Sequence, residues 1–223
     1  MNHPSAATTG HIAVVLDDVA AAAALLEWSS ALAQSLRREV RVVYVESASA
    51  LAAATLPLTQ ALAHAGASWV PYGPQDVELG YRVQLVRLRE MLRQAAERHA
   101  IHGSLQVVRG ALHAAALELN EQSDLVLVGA AAPVLGAARS VQRCHSMLVW
   151  ADDSEQGLQL VRVATLCAQA LGATQRRLHV DVEVDAAEVV QARADLLVMP
   201  RQQMSARSLA RARQPVLLVG NHH

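Results

Sequence analysis

Short apolar runs alternate along the chain with longer stretches of helical spacing. The first run, 12–16, is aliphatic and ends at Asp17 and Asp18, which is typical of a strand buried on both faces. Residues 20–37 carry an apolar stripe at helical spacing, and the β-branched run 40–45 follows. This β-α-β order predicts a parallel sheet with helices packed against it.

The same alternation continues to the end of the chain and predicts a doubly wound α/β fold. Strands are predicted over 105–108, 124–128, 147–150, 177–184, 194–199 and 215–219. Helices are predicted near 58–65 and over 78–99, 111–121, 136–144, 155–171, 185–193 and 203–213. The apolar face of the long helix 78–99 is predicted to consist of Val83, Leu85, Val86, Leu88, Met91 and Leu92.

The strand–Asp–Asp–helix unit occurs twice. A constant offset places Asp17-Asp18 on Asp152-Asp153, Leu25 on Leu160, Ala33 on Ala168, Leu36 on Leu171 and Val45 on Val180. A second offset pairs 124–128 with 195–199, and the second copy is much shorter between these anchors. We therefore expect a flexible N-terminus over 1–10, a full α/β unit over 11–150 and a truncated second unit over 151–223. Strand 147–150 ends one copy and begins the next, so either two sheets share it or the second copy completes the first copy's sheet.

Composition narrows the function classes. Lys and Arg number 19 against 20 Asp and Glu, and aromatic residues make up 3% with no Phe, which argues against a nucleic-acid-binding surface. Cys144 and Cys167 do not form a disulfide framework and fit a reducing compartment. Residues 1–10 lack the features of a signal peptide, and no uncharged apolar run is long enough to span a bilayer. These features predict a cytoplasmic protein without membrane insertion.

Several weak motifs, in order and spacing, resemble those of the universal stress protein family. They are Val14–Asp18, Glu27-Trp28-Ser29, Tyr44-Val45, Asp124–Gly129 and Pro215–Val219, with His179-Val180 as the second copy's counterpart of Tyr44-Val45. The match covers 11–150 well and 151–220 in truncated form. The resemblance implies a parallel α/β fold of the adenine-nucleotide-binding type, here as a tandem whose second copy is degenerate. Dimerisation through the last strand or through the interface of the copies is a further expectation.

Nucleotide-binding members of that family carry a loop of the form G-x2-G-x9-G followed by Ser or Thr after the fourth strand, where backbone N–H groups approach phosphates. Here Gly129 is followed by three alanines, Gly136 is the next glycine, and Ser140 lies too close to complete the pattern. The resemblance makes Asp17, Val45, Gly129, Gly136 and Ser140 the candidate nucleotide-binding residues. Asp17 has an alternative role as the N-cap of the following helix. The degraded loop predicts no bound cofactor, with ATP or AMP as the alternative.

No constellation of catalytic residues is recognisable. A G-x-S-x-G nucleophile elbow and a P-loop are both absent from the sequence. His99 and His102 lie near a helix C-terminus, which favours histidine, and no metal site is predicted from them. The sequence therefore does not predict an enzyme.

Two segments are candidate partner surfaces. Trp69 and Tyr72 lie in a Pro- and Ala-rich excursion, and Arg201, Arg207 and Arg211 make the segment after the next-to-last strand basic. The predicted function is that of a non-enzymatic, universal-stress-like regulatory or interaction protein without firm ATP binding, acting through a partner protein as a homodimer. The alternative is an ATP- or AMP-binding member with a divergent phosphate loop. A nucleotide-dependent enzyme ranks third because the reacting groups are missing.

Overall fold

The computed structural model describes residues 10–57, 59–62, 69–119, 123–129, 143–179 and 194–220. Its strands are β1 (His11–Leu16), β2 (Glu39–Ser47), β3 (Gln60–Leu62), β4 (Trp69–Pro71), β5 (Gly103–Gly110), β6 (Leu125–Val128), β7 (Ser146–Ala151), β8 (Thr174–His179), β9 (Leu196–Pro200) and β10 (Val216–Val219). Its helices are α1 (Ala22–Leu36), α2 (Ala48–Ala54), α3 (Pro74–His99), α4 (Leu112–Glu118), α5 (Glu155–Leu171) and α6 (Ala206–Leu209), with 3-10 turns at Val19–Ala21 and Arg201–Gln203.

Eight strands form one sheet in the order β5-β2-β1-β6-β10-β9-β7-β8. All neighbours in it run parallel except β6 and β10, which run antiparallel. Strands β3 and β4 form a separate antiparallel pair. The predicted α/β class with a mostly parallel sheet is confirmed.

Helices cover both faces of the sheet, which explains the uninterrupted apolar strands. One core contains residues of α1, α3 and α5, including Trp28, Leu88 and Cys167. The core on the opposite face contains Leu112 of α4 and Leu209 of α6. Every residue of the central strands β6 and β10 is buried, as expected for strands covered on both sides.

The two halves of the sheet use the same register. Ile12 of β1 lies opposite Leu125 of β6, and Met147 of β7 lies opposite Leu196 of β9. The offset that aligns the two Asp-Asp pairs also carries Ile12 onto Met147, and the second offset carries Leu125 onto Leu196. The repeated sequence therefore occupies equivalent positions in the two halves.

The antiparallel contact between β6 and β10 joins the halves into one continuous sheet. β7 pairs with β8 and β9, both of which follow it in the chain, so it lies in the second half rather than ending the first. Strand 147–150 is therefore not shared between two sheets. It belongs to the second half, which completes the sheet that the first half begins. The boundary at 150 and 151 stays a prediction as a domain division.

β10 has neighbours on both sides, β6 and β9. It is therefore not a free edge, and the expectation that copies associate by pairing their last strands is wrong. The reason is that the antiparallel position beside β10 is already occupied within the chain.

Local signals account for the helix ends. Ser154 Oγ accepts a hydrogen bond from the Gly157 N–H, which caps the start of α5, and Gly172 ends it with a φ of 64°. α3 begins at Pro74, where proline lacks only an N–H that would have no helical partner. The Asp76 carboxylate accepts from the Gly73 N–H at 2.8 Å.

The segment between β2 and α3 differs from its prediction. The helix expected near 58–65 is wrong, because the helix there is α2, and residues 60–62 form β3. Ser47 Oγ accepts from the Ala50 N–H at 3.2 Å and so starts the helix earlier, and Pro57 lies beyond its end. The 63–65 part of the predicted helix lies outside the described residues.

Four further predictions need correction or fall outside the described residues. The basic helix predicted over 203–213 is only the 3-10 turn and the short α6, which Ser205 caps. The helices predicted over 136–144 and 185–193 lie outside the described residues, apart from 143–144, which are not helical. The strand predicted over 177–184 begins earlier, at Thr174, and its part beyond 179 also lies outside them.

The buried face of α3 agrees with the predicted one at Leu85, Leu88, Met91 and Leu92, which lie in the core or pack against it, and differs at Val83 and Val86. Val83 and Val86 are 62% and 66% exposed, whereas Leu88 and Leu92 are buried as predicted. Val77 and Ala95 complete the buried face. The helix carries apolar residues on two sides, and the sequence alone does not say which side meets the sheet.

The stretch Val19–Leu36 is long and apolar enough to cross a membrane by length and composition. Half of it is buried in the fold, and Leu25, Leu26 and Leu32 pack into the core on one face of the sheet. The buried residues of this helix therefore form part of the core that packs on the sheet.

Candidate functional site

The carboxyl ends of β1, β2 and β6 meet at one edge of the sheet because these strands are parallel neighbours. Asp17 follows β1, Val45 lies near the end of β2, and Gly129 follows β6. The Gly129 N–H donates to the Val15 carbonyl at 3.0 Å, which holds the end of β6 against β1. Three of the five predicted nucleotide-binding residues are thus brought to one edge. Gly136 and Ser140 lie outside the described residues.

The two adjacent aspartates after β1 have different roles. The Asp18 carboxylate accepts from the Ala20 N–H at 3.0 Å and caps the 3-10 turn that leads into α1. The capping role weighed for Asp17 therefore belongs to Asp18. Asp17 keeps an exposed surface, but the protein atoms packed around its carboxyl raise its pKa above the ordinary value, and the nearby Asp18 charge adds to this.

His113 of α4 lies beside Asp17 and was not found from the sequence. Burial lowers the pKa of the imidazole, and the negative charge of Asp17 opposes that effect. Its Nε2 atom is buried and has no hydrogen-bond partner among the described residues. A lone histidine near the start of an Ala-rich helix carries no sequence signal, since only the packing of α4 over β1 brings it to Asp17.

Tyrosines fill the end of β2 on the opposite face of the sheet. Tyr44 is fully buried, and its hydroxyl donates to Gln84 Oε1 of α3 at 2.6 Å. The rings of Tyr44 and Tyr81 meet edge to face with centroids 6.2 Å apart. Burial raises the pKa of both phenols, and the Tyr81 hydroxyl donates to the Ser47 carbonyl at 3.2 Å. The side chain at this strand end is therefore covered by residues of α3.

Val45 and Gly129 serve packing. The Val45 side chain is 1% exposed and lies in the core beneath α4 with Leu112 and Ala116. A Cβ on Gly129 would lie 3.4 Å from Leu25 Cδ1, so α1 passes close to this strand end. The Val45 side chain is therefore not accessible to a ligand at the edge.

The second Asp-Asp pair follows β7 at the opposite edge of the sheet, because β6 and β10 run antiparallel and reverse the direction of the second half. Asp152 Oδ1 accepts from the hydroxyl and the N–H of Ser154, and the hydroxyl bond chiefly lowers the pKa of Asp152. Asp153 forms an ion pair with Arg177 at 2.6 Å. Both carboxylates therefore bind groups of their own half.

The predicted partner residues have different exposures. Trp69 is 65% exposed on the β3–β4 pair, and Tyr72 is half-buried. Arg207 and Arg211 are exposed beside α6. Arg201 is only 7% exposed, so its assignment to a partner surface is wrong. It follows β9 directly and turns inward near Gly220.

No group of three or more His, Cys, Asp or Glu side chains in the described parts of the chain is arranged to hold a metal ion. His99, one of the two histidines considered for this role, instead contacts Glu27 Oε1 of α1 at 3.0 Å. Arg98 binds the other oxygen of that carboxylate at 2.7 Å. This contact ties the end of α3 to α1.

Comparison with models of known protein families finds no match, and comparison with curated proteins finds none either. Among solved structures, the chain is similar to a universal stress protein from Archaeoglobus fulgidus DSM 4304. The TM-score is 0.52 at 10% sequence identity, and the match covers 97% of this chain and 99% of that one. The chain has a fold like that of universal stress proteins.

Proposed function

We propose that this protein is a non-enzymatic, universal-stress-like interaction protein that lacks firm ATP binding and acts through a partner protein. The observation that carries the proposal is the use of the strand-end carboxylates. Asp18, Asp152 and Asp153 each bind a group of the protein itself, an N–H, a serine and an arginine respectively. Three of the four strand-end aspartates, including the counterpart of Asp17 in the second half, are therefore committed to the fold.

The proposal includes a tandem origin in which the second copy is shortened and degenerate. The equal registers of β1 with β6 and of β7 with β9 support it. In the second half, the position equivalent to Gly129 is Pro200, the last residue of β9, and Arg201 follows it, so no glycine stands there. Without a glycine there, the backbone is less suited to approach a phosphate closely.

The proposed partner surface contains the β3–β4 pair, where Trp69 and Val70 are 65% and 40% exposed. A tryptophan that is mostly in solvent in the free protein offers large apolar area to a partner. Arg207 and Arg211 form a second exposed, basic candidate surface. A cytoplasmic location and a homodimer are parts of the same proposal, and β10 does not supply the dimer contact.

A second candidate function is ATP or AMP binding in the first half. Asp17 and His113 favour it. Within the described parts of the chain, the Asp17 carboxyl makes no hydrogen bond with another side chain, and the His113 Nε2 atom is buried without a partner. A ligand hydroxyl or amine between them would satisfy both groups. In this function Gly129 would contribute its backbone beside the ligand.

Nucleotide content distinguishes the two functions. Freshly purified protein is denatured, and its supernatant is separated by anion exchange. We expect no stoichiometric adenine nucleotide, and no thermal shift with millimolar ATP or AMP. Stoichiometric nucleotide, or a concentration-dependent shift that Asp17→Asn and His113→Ala abolish, would replace the first function with the second.

Partner binding is tested by site-specific photocrosslinking in the cells that naturally express the protein. The crosslinking residue replaces Trp69 in one variant and Leu166, which is 51% exposed on α5, in the control. We expect one discrete heterologous adduct at 69 that is missing at 166. Equal adducts at both positions, or none at 69, would contradict this surface. Sedimentation equilibrium of the purified chain tests the homodimer.

A further inference from the structure

The two ends of the eight-stranded sheet are protected differently. β8 ends it on one side and carries the adjacent arginines Arg176 and Arg177, charges that discourage the addition of another strand. β5 ends it on the other side, and from Gly103 to Val108 it has no charged residue. Most of β5 is exposed, including Val107 at 39%. The one charged residue of β5, Arg109, lies near its end and is paired with Glu46 of β2. Among the described strands, the first six residues of β5 thus form an uncharged edge open to pairing.

The register of β2 and β5 identifies the backbone groups at that edge. Val40 N–H donates to the His102 carbonyl, and Val40 lies opposite Gly103. In a parallel ladder, alternate residues bond to the same neighbour, so the even-numbered residues of β5 face β2. The N–H and C=O groups of Leu105 and Val107 therefore point away from the sheet. They are available to a ninth strand.

A groove of about 480 Å³ runs beside this edge, between the C-terminal half of α3 and the start of β5. Leu92, Ala96, Ile101 and Leu105 supply its apolar lining, and Arg89, Arg93, Glu97 and His102 its polar lining. Arg93 is held by Glu90 and Glu97, each at 2.6 Å. Arg89 is exposed and has no ion pair among the described residues. The groove thus offers one uncompensated positive charge.

We propose that the β5 edge binds an extended segment of a partner protein as a ninth strand, with an acidic side chain of that segment directed at Arg89. Main-chain bonds to Leu105 and Val107 supply affinity, and alternate side chains enter the groove under α3. The charge of Arg89 makes an acidic segment more favourable than a basic one. The inference rests on the proposed interaction function and assigns it a docking surface and a class of ligand.

The probe is a short fluorescein-labelled peptide of alternating threonine and valine with one central glutamate; its matched control has lysine in place of the glutamate. Binding is followed by fluorescence polarisation. Val107→Pro removes an outward N–H and leaves the β2 ladder intact, so we expect about tenfold weaker binding. Val107→Thr retains the N–H and keeps the affinity.

We expect the wild type to bind the glutamate probe about threefold more tightly than the lysine control. In Arg89→Glu this preference should be reversed, so that the lysine control binds more tightly. Arg87→Glu changes the same charge at a position that does not line the groove, and it retains the preference. Hydrogen exchange of the wild type adds a readout that needs no variant: the amides of Leu105 and Val107 become protected when the probe saturates. Exchange thus tests the edge even if Val107→Pro does not fold.

Unchanged probe binding by Val107→Pro, or no protection at 105 and 107, would overturn the inference. A wild-type dimer that Val107→Pro dissociates would also overturn it, because a second copy would then occupy the edge. Failure here is distinguishable from failure of the proposed function. Stoichiometric ATP in the purified protein would refute the proposed function but would leave binding at β5 untouched. Conversely, crosslinks at Trp69 would persist even if the probe did not bind to β5.

Discussion

The contact between Tyr44 and Gln84 joins β2 to α3 at the end of the strand that was expected to meet a nucleotide. Tyr44→Phe removes one oxygen atom and retains the ring, so the edge-to-face contact with Tyr81 persists. The substitution therefore isolates a hydrogen bond of 2.6 Å in an otherwise unchanged core. It tests whether this end of the sheet is closed by protein contacts.

The expected cost follows from the burial of the two partners. A net hydrogen bond contributes about 1 kcal/mol, and stranding a buried partner raises the loss to about 1–3 kcal/mol. Gln84 is only half-buried, so its freed carbonyl regains water and the lower value applies. We expect a loss of about 1 kcal/mol in the free energy of unfolding. For a chain of this size, that corresponds to a fall of about 2–4 °C in Tm.

The assay is urea unfolding followed by circular dichroism for the wild type, Tyr44→Phe, Gln84→Met and the double variant. The coupling energy from this cycle should be about 1 kcal/mol. Tyr72→Phe is the matched control, because the Tyr72 hydroxyl makes no hydrogen bond within the described chain. Its free energy of unfolding should change by less than about 0.5 kcal/mol. A coupling energy near zero, or equal losses for the two tyrosines, would refute the assigned contact.

The same tyrosine predicts a pH dependence. Burial raises the pKa of Tyr44 above that of an unfolded tyrosine, near 10. Below that pH the neutral phenol makes its full contribution to the free energy of unfolding. This contribution is lost as pH rises toward the higher folded pKa, because the unfolded chain releases the proton first. Wild-type stability should therefore fall above pH about 10, and less steeply in Tyr44→Phe. Parallel pH profiles for the two proteins would contradict the burial of this phenol.

Two other substitutions test the site and the core. Asp17→Asn should stabilise the protein at neutral pH, because the surroundings raise the pKa of Asp17 and so disfavour its charged form. The gain in the free energy of unfolding over the wild type should appear above pH about 4 and be absent below it. Urea unfolding at acidic and neutral pH measures this gain, and an equal gain at both would contradict the prediction. Leu88→Ala, at a fully buried position of α3, should lower the free energy of unfolding by about 3–5 kcal/mol in calorimetry. Val86→Ala, at a position 66% exposed, should lower it by less than about 0.5 kcal/mol. Similar losses for the two variants would contradict the assigned face of α3.

The sequence was most informative where a local signal and the tertiary environment agree. Helix 155–171 was predicted with the bounds of α5. Gly172 marks its end in the sequence, and the structure shows that Ser154 caps its start, so both end signals lie within the chain itself. The apolar runs of β1 and β6 were recognisable because strands covered on both faces need no alternation. In α3 the local pattern and the tertiary environment disagree. Val83 and Val86 are apolar and lie at helical spacing, but they are exposed because the sheet packs against another side of the helix.

The site was predictable only as far as strand ends determine it. Asp17 and Gly129 follow buried strands, and parallel pairing must bring them to one edge. His113 and Gln84 come from helices distant in sequence, and their contacts depend on how α4 and α3 lie over the sheet. Such contacts leave no periodicity or motif to read. The distinction between the capping Asp18 and its neighbour likewise depends on backbone geometry that the Asp-Asp pair alone does not contain.

The antiparallel junction of β6 and β10 limits what the repeated unit can do. It places the two Asp-Asp pairs at opposite edges, so a single ligand at the end of β1 does not reach Asp152. The junction also uses, within one chain, a pairing of strands that could otherwise join two molecules. Every residue of both strands is buried, so neither is exposed to a second chain. Association with another chain must therefore use an outer strand or a helical layer. Of the two outer strands, β8 carries Arg176 and Arg177, whereas the one charged residue of β5, Arg109, lies near its end and is paired with Glu46. The repeat that closes the centre of the sheet therefore leaves the first six residues of β5 as the edge best suited to the partner that we propose.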